Sequence, residues 1–330
     1  MRIAAVAGIL LLALATGAFA QPVTLKLASF EPPQAPITGG VLTPWANEIS
    51  AASGGTLKID IYPGGTLGRS PLQQLKLVQD GVADITWTVP GYTPGRFDDT
   101  QVAELPFLVT DATSGSLAMT GLHKQGMLRG FDDIKLLLIG TVPANAIHSR
   151  EPVKSLADLK GRKIRAGSSQ IAKLVEALGA VPVQIGAPAV AESLARGVID
   201  ASLNEWNFVA TFKIDEVVRY HTALPMGTVA VMVPMMKAKY DSLPPQARAA
   251  IDKHSGEALA RRFGAVVDKT NEATRERVAK SSKNTVFTPG AQEQASWRAA
   301  VEPVSAAWRK AAPQNEKIYQ AFVGALKQSR

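Results

Sequence analysis

The chain contains no cysteine, so no disulfide holds it, and thiolate nucleophiles and cysteine metal sites are excluded. Its four histidines, His123, His148, His221 and His254, are scattered, and none has a metal-ligand spacing such as H-E-x-x-H. No G-x-S-x-G elbow is present. Gly64-Gly-Thr-Leu-Gly-Arg-Ser70 faintly resembles a phosphate loop, but it is one residue short and has Arg69 where that motif needs lysine. After residue 20 no run is long and apolar enough to span a bilayer. Basic and aromatic residues are not interleaved, and lysines and arginines are mixed with acidic residues, so the formal net charge of +8 does not read as a nucleic-acid surface. These absences leave a protein held by its core, with no cofactor or metal expected. A cleft hydrolase or lyase stays open as an alternative, because an unlinked acid–base pair leaves no motif.

What is present begins with a leader. Arg2 is followed by an apolar run from Ile3 to Ala18, and Ala18-Phe19-Ala20 forms a small-x-small site before Gln21, the pattern of a signal peptide over residues 1–20. About sixteen apolar residues are short for a membrane anchor. The roughly 310 residues that follow exceed what one hydrophobic core supports, which predicts two domains. The diffuse positive charge, one unit lower once Arg2 is removed, would draw in small anions.

A weak internal repetition organises the chain. Val23, Leu25 and Leu27 alternate as a strand, Leu42 to Ser53 reads as a helix stopped by Gly54-Gly55, and Leu57, Ile59 and Ile61 alternate again. Pro71 to Asp80 is a second helix, closed by Gly81, and Val82 to Trp87 a third strand. The same β-α-β-α-β grammar returns after Ser155. Arg162 to Ala166 is a strand, Ser168 or Ser169 caps a helix carrying Ile171, Leu174, Val175 and Leu178 on one face, and Val181 to Ile185 is the next strand. Pro188 to Arg196 is then helical, and Gly197-Val-Ile-Asp200 opens a strand as Gly81-Val-Ala-Asp84 does. Two such halves imply a cleft between them.

In open parallel sheets ligands sit beyond the carboxyl ends of the strands. Those ends carry Phe30 and Glu31, Trp87 to Tyr92, Arg165, Ala187, and Asn204 to Asn207, with Trp206 between the last two. Arg165 precedes Gly167-Ser168-Ser169, so a guanidinium and a helix start would share one site, and both favour an anion. A guanidinium fork matches a carboxylate with two short bonds that a lysine would not reproduce.

Leu156-Ala-Asp-Leu-Lys-Gly-Arg-Lys-Ile-Arg165, Leu178-Gly-Ala-Val-Pro-Val183 and Leu194-Ala-Arg-Gly-Val-Ile-Asp200 resemble the central blocks of the solute-binding proteins of TRAP transporters, the DctP family. Glu104-Leu-Pro-Phe107 and Gly81-Val-Ala-Asp84 support the resemblance, which runs in order along essentially the whole chain. It implies an α/β, periplasmic binding protein-like fold, with two α/β domains around a central cleft and a long helix bracing both. It also implies a non-enzymatic, monomeric receptor in the periplasm that closes by a hinge on a small organic acid and delivers it to the membrane subunits. A sensor for a signalling receptor would use the same cleft. The expected division is 21–142 plus 230–269 for one domain and 143–229 plus 270–330 for the other. The family's binding arginine falls on Arg165 and its asparagine on Asn204. A second arginine, common in the family near residue 145, is absent, and a bulky wall residue is replaced by Ala187. The ligand-binding set implied is Arg165, Asn204, Trp87, Phe30, Glu31, Tyr92, Ala187, Trp206 and Asn207. One clamp in an apolar pocket predicts a monocarboxylate or bulky acid.

Leu243-Pro244-Pro245 precedes an alanine-rich helical run to about Lys283, with Gly256 and Gly264 as its weak points. Further helices are expected at Ala291 to Ala312, interrupted at Pro303, and at Asn315 to Gln328.

Overall fold

The computed structural model describes residues 22–329; the expected signal peptide lies outside them. Alternating apolar residues make β1 (Val23–Ala28), β2 (Leu57–Tyr62) and the short β3 (Ile85–Thr86), joined through α1 (Thr43–Ala52) and α2 (Gln74–Gln79). Helix α3 (Ala112–Lys124) leads to β4 (Ile134–Thr141), after which the chain crosses to β5 (Ala146–Ser149) and a second βαβαβ unit. That unit comprises β6 (Lys163–Ala166), α4 (Ser169–Ala177), β7 (Val181–Gln184), α5 (Val190–Ala195) and β8 (Ala201–Asn204). Helix α6 (Trp206–Thr211) and β9 (Tyr220–Thr222) precede the return crossing into β10 (Ala230–Met236). The chain ends with α7 (Lys237–Asp241), α8 (Pro245–His254), α9 (Glu257–Ala279), β11 (Thr285–Phe287), α10 (Ala291–Ala311) and α11 (Asn315–Gln328).

Two sheets result, ordered β2-β1-β3-β10-β4 and β11-β9-β5-β8-β6-β7. The two repeats are superposable in connectivity, since the first strand of each pairs in parallel with both its successors. The likeness extends to single bonds. Gly81 and Gly197 both take positive φ, +71° and +72°, a conformation that costs glycine no Cβ clash. The Asp84 carboxylate then accepts the Lys26 N–H of β1 at 2.8 Å, and Asp200 accepts the Lys163 N–H of β6 at 2.8 Å.

The two crossings lie side by side. Val142 N–H donates to Val229 O, Asn145 N–H to Gly227 O at 2.7 Å, and Met226 N–H to Asn145 O, so the connecting strands form a narrow antiparallel ribbon. Gly227 has φ +91°, and a Cβ there would meet Glu104 O at 2.7 Å. Near this ribbon Glu104, from the first sheet's side, accepts the hydroxyl of Ser168, the N-cap of α4.

The long helical run expected after Leu243 is broken in two. Gly256 takes φ +61°, and its N–H goes to Leu137 O, which ends α8 and starts α9. Gly264 is not a weak point but a contact point, because a Cβ there would lie 2.4 Å from Thr113 Cα of α3. Helix α10 runs through Pro303 without interruption. Helix α9 lies across both sheets' helices: Asp268 receives the Ala112 and Thr113 N–H groups of α3 at 2.6 and 3.0 Å, and Asn271 receives the Trp206 N–H of α6 at 2.8 Å. Helix α10 packs on α4 and α11 on α3.

Candidate ligand-binding site

The carboxyl ends of β1, β3, β6, β7 and β8 converge on a half-open pocket whose empty space, solvent at its mouth included, is about 430 Å³. Its walls are Phe30, Glu31, Trp87, Val89 and Tyr92 from the first sheet's side and Arg165, Gly167, Ala187, Asn204, Glu205, Phe208 and Phe212 from the second's. Val142, Val229 and Val231, at and beside the crossings, complete it.

Arg165, 2% exposed, is the one basic residue of this lining. Its Nε donates to Ile185 O at 3.2 Å, and its guanidinium carbon lies 5.2 Å from the centre of the Phe208 ring. No carboxylate stands within ion-pair distance among the described residues. A guanidinium removed from water without an anion costs several kcal/mol, so the free edge of this one is a site for an anion. Gly167 makes room for it, since a Cβ there would lie 2.9 Å from Arg165 Nη1. Asn204 is oriented by its neighbour: the Ser202 hydroxyl donates to Oδ1, leaving the Nδ2 donors for a partner in the cavity. His148 fixes the strand beneath, its Nε2 donating to Asn204 O at 3.0 Å.

Five aromatic residues and four valines supply most of the remaining wall. Phe30 and Trp87 stack at 4.7 Å and Phe208 and Phe212 meet at 4.6 Å. Two carboxyls complete the lining. Burial pushes Glu31 up to about 8, with Glu205 adding to the rise, and burial pushes Glu205 to about 7 against the pull of Arg165. Burial likewise raises the Tyr92 phenol, opposed by the nearby Arg165.

Of the residues singled out in the sequence, Arg165, Asn204, Trp87, Phe30, Glu31, Tyr92 and Ala187 line the cavity. Trp206 and Asn207 do not. Trp206 opens α6 and lies against the His148 and His221 rings at 4.9 and 5.3 Å. Asn207 Nδ2 donates to Val267 O of α9 at 2.8 Å. Successive helical residues turn by about 100°, so Phe208 and Phe212, one turn apart, share the cavity face that Trp206 leaves. Glu205, Phe208, Phe212 and the valines belong to no motif of the sequence.

A two-lobed α/β protein with an anion-seeking arginine buried between its lobes is a ligand-capture protein. Residues 27–311 match the family "Bacterial extracellular solute-binding protein, family 7", DctP, and the chain belongs to it. It is similar to a TRAP solute-binding protein from Rhodoferax ferrireducens T118 solved with copurified benzoate. The two are 31% identical with a TM-score of 0.88, covering 93% of this chain and 98% of that one. A marine metagenome TRAP solute-binding protein described as specific for aromatic acid ligands, solved with 3-hydroxybenzoate, is 33% identical at TM-score 0.89. It covers 94% of this chain and 99% of its own. The C4-dicarboxylate-binding periplasmic protein DctP of Rhodobacter capsulatus is 24% identical, covering 89% of this chain and 88% of its own. The family and these relatives are substrate-binding proteins and not enzymes, and they are extracytoplasmic. No helix among the described residues is long and apolar enough to cross a membrane.

Proposed function

We propose that the chain captures an aromatic or similarly bulky monocarboxylate in the periplasm and passes it, as a monomer, to the membrane subunits of a TRAP transporter. The observation that carries this is the buried Arg165, with no carboxylate in ion-pair distance among the described residues, in a cavity otherwise lined by five aromatic residues, aliphatic residues, Asn204 and two carboxyls held protonated by burial. The ligand carboxylate occupies the guanidinium fork and takes a further bond from Asn204 Nδ2. Its apolar body lies among Phe30, Trp87, Phe208 and Phe212. With a single basic residue in the lining, a second carboxylate would be buried without a counter-charge, which disfavours compact dicarboxylates. The benzoate- and 3-hydroxybenzoate-bound relatives support the same class of ligand.

Capture proceeds by closure about the paired crossings, residues 142–145 and 223–229. One moving body is the first sheet with α1, α2, α3 and α11, the last placed here by its packing on α3 and not in the second domain, where the expected division put residues 270–330; the other is the second sheet with α4, α5, α6 and α10. The signal peptide at residues 1–20 directs export. Isothermal titration with benzoate, phenylacetate, a branched aliphatic acid and succinate tests the ligand class, and tight binding of succinate alone would sink it. The Arg165→Ala variant is expected to weaken an aromatic acid by at least about 1.5 kcal/mol. Unchanged affinity in that variant would remove Arg165 from the site.

A further inference from the structure

The cavity has a second polar end, on the lobe opposite Arg165. Glu31 follows β1 and Trp87 follows β3, and both strands belong to the first sheet, where β3 pairs directly with β1. The Phe30–Trp87 stack fixes the two loops against each other. Glu31 is 5% exposed and is held from behind. Its Oε2 accepts the Thr38 hydroxyl at 3.4 Å, Thr38 shares a hydrogen bond with the Ser29 hydroxyl at 2.7 Å, and the Glu31 N–H donates to Ser29 Oγ at 3.2 Å. This shell fixes one edge of the carboxyl and leaves Oε1 without a protein partner among the described residues. The indole N–H of Trp87 is fully buried and also has no partner among them. An orphaned indole donor in a cavity wall costs of the order of 1–3 kcal/mol unless a ligand satisfies it.

From this pair we infer that Glu31 and Trp87 form a second subsite, which recognises a hydroxyl group carried on the ring of the aromatic acid at a position remote from its carboxylate. The inference rests on the carboxylate being held by Arg165 as proposed above. Chemistry selects the hydroxyl from the alternatives. A hydroxyl oxygen accepts the indole N–H and either gives its proton to an ionised Glu31 or takes a second bond from the protonated one, so one group satisfies both walls in either state of that carboxyl. A ring amino group could donate to Glu31, but its lone pair is delocalised into the ring and makes a poor acceptor for the Trp87 N–H. A second carboxylate could accept from Trp87 but would bring a buried negative charge to an end of the cavity with no cation. An unsubstituted ring would leave both protein groups unmet.

Titration of the wild-type protein, Glu31→Leu and Trp87→Phe with benzoate, 3-hydroxybenzoate, 4-hydroxybenzoate, 3-aminobenzoate and isophthalate tests the subsite. In the wild type, at least one ring-remote hydroxyl is expected to tighten binding by about tenfold or more over benzoate. The aminobenzoate and isophthalate are expected to show no gain. Trp87→Phe keeps the ring and removes only the donor, and Glu31→Leu removes the carboxyl at similar bulk. In each variant the hydroxyl's advantage should shrink to less than about threefold while benzoate still binds. Should Glu31→Leu fail to fold, Trp87→Phe carries the test alone. Equal affinity of benzoate and both hydroxybenzoates for the wild type overturns the subsite but leaves the Arg165 clamp standing, as does a hydroxyl advantage that survives the variants. A preference for isophthalate or aminobenzoate overturns the choice of hydroxyl. No binding of any of these acids overturns the carboxylate site, and the subsite with it.

Discussion

Arg165 works because of what surrounds it. Its Nε is tied to Ile185 O, which holds the side chain along the strand end, and the backbone of residue 167 passes so close that a Cβ there would lie 2.9 Å from Nη1. A methyl at 167 would meet the far end of a flexible side chain, so the chain still folds but the fork is displaced. Gly167→Ala is therefore expected to weaken an aromatic acid by about tenfold while leaving the urea-unfolding midpoint unchanged. Equal affinity in calorimetry would show that the fork tolerates the shift. At this scale the sequence discloses residue types and strand ends but not helix phase. Arg165 and Asn204 could be named because each ends a strand, where the direction of the chain delivers the side chain to the cleft. Trp206 and Phe208 could not be told apart, because which of them faces the cavity depends on where α6 begins, and that is fixed by Asn271 sixty-odd residues later in the chain. Glu205 was hidden for another reason: a buried carboxyl beside an arginine looks in sequence like any surface glutamate.

The helix that matters most to the cleft contributes no side chain to it. From α9, Asp268 receives two N–H groups and the Thr113 hydroxyl of α3, and three residues later Asn271 receives the first N–H groups of α6. One turn of α9 thus caps a helix of each lobe, satisfying donors that a helix start otherwise leaves free. Asn207 adds to the tie through Val267 O and the Thr270 hydroxyl. The two caps should separate stability from binding. Asp268→Ala leaves three donors without their acceptor and is expected to cost about 2 kcal/mol of unfolding free energy. Asn271→Ala releases the start of α6, which carries Phe208 and Phe212, and should weaken an aromatic ligand more than it lowers stability. Denaturation and calorimetry on the two variants check this; identical profiles would mean that α9 braces the fold as a whole. The duplicated β-α-β-α-β units were legible down to the Gly81 and Gly197 corners, since local periodicity and turn chemistry specify them. The break at Gly256 and the uninterrupted passage of α10 through Pro303 were not, because tertiary contacts decide whether a glycine or a proline ends a helix.

At the scale of the molecule, buried groups of opposite kind make the fold sensitive to pH. Burial holds three carboxyls protonated above their ordinary value of 4.5, Glu31 to about 8 and Glu104 and Glu205 to about 7. A carboxyl raised in the folded state contributes stability that is complete below pH 4.5 and lost as pH climbs through 7 to 8. His148 and His221 act from the other side. Burial lowers both from 6.5, so stability is lost as pH falls below that value. Ligand binding engages the first set. Glu31, Glu205, Tyr92 and Arg165 line the same cavity, where the charge of Glu205 raises Glu31 and that of Arg165 opposes the rise of Glu205, and Thr38 stands behind Glu31. A carboxylate ligand brings negative charge among them and raises both carboxyls further, so binding above neutrality takes up protons. Affinity is expected to be level between about pH 5, where the ligand is still a carboxylate, and about pH 6, and to fall above about pH 7, approaching tenfold per pH unit for each proton taken up. Calorimetry in two buffers of different ionisation enthalpy counts those protons directly. Glu31→Gln, which removes one of the two titrating groups, should reduce the slope while keeping the ligand bound. An affinity that stays constant from about pH 6 to about pH 9 would mean that the ligand's charge does not enter the cavity that Glu31 and Glu205 share, and would move the anion site elsewhere on the cleft.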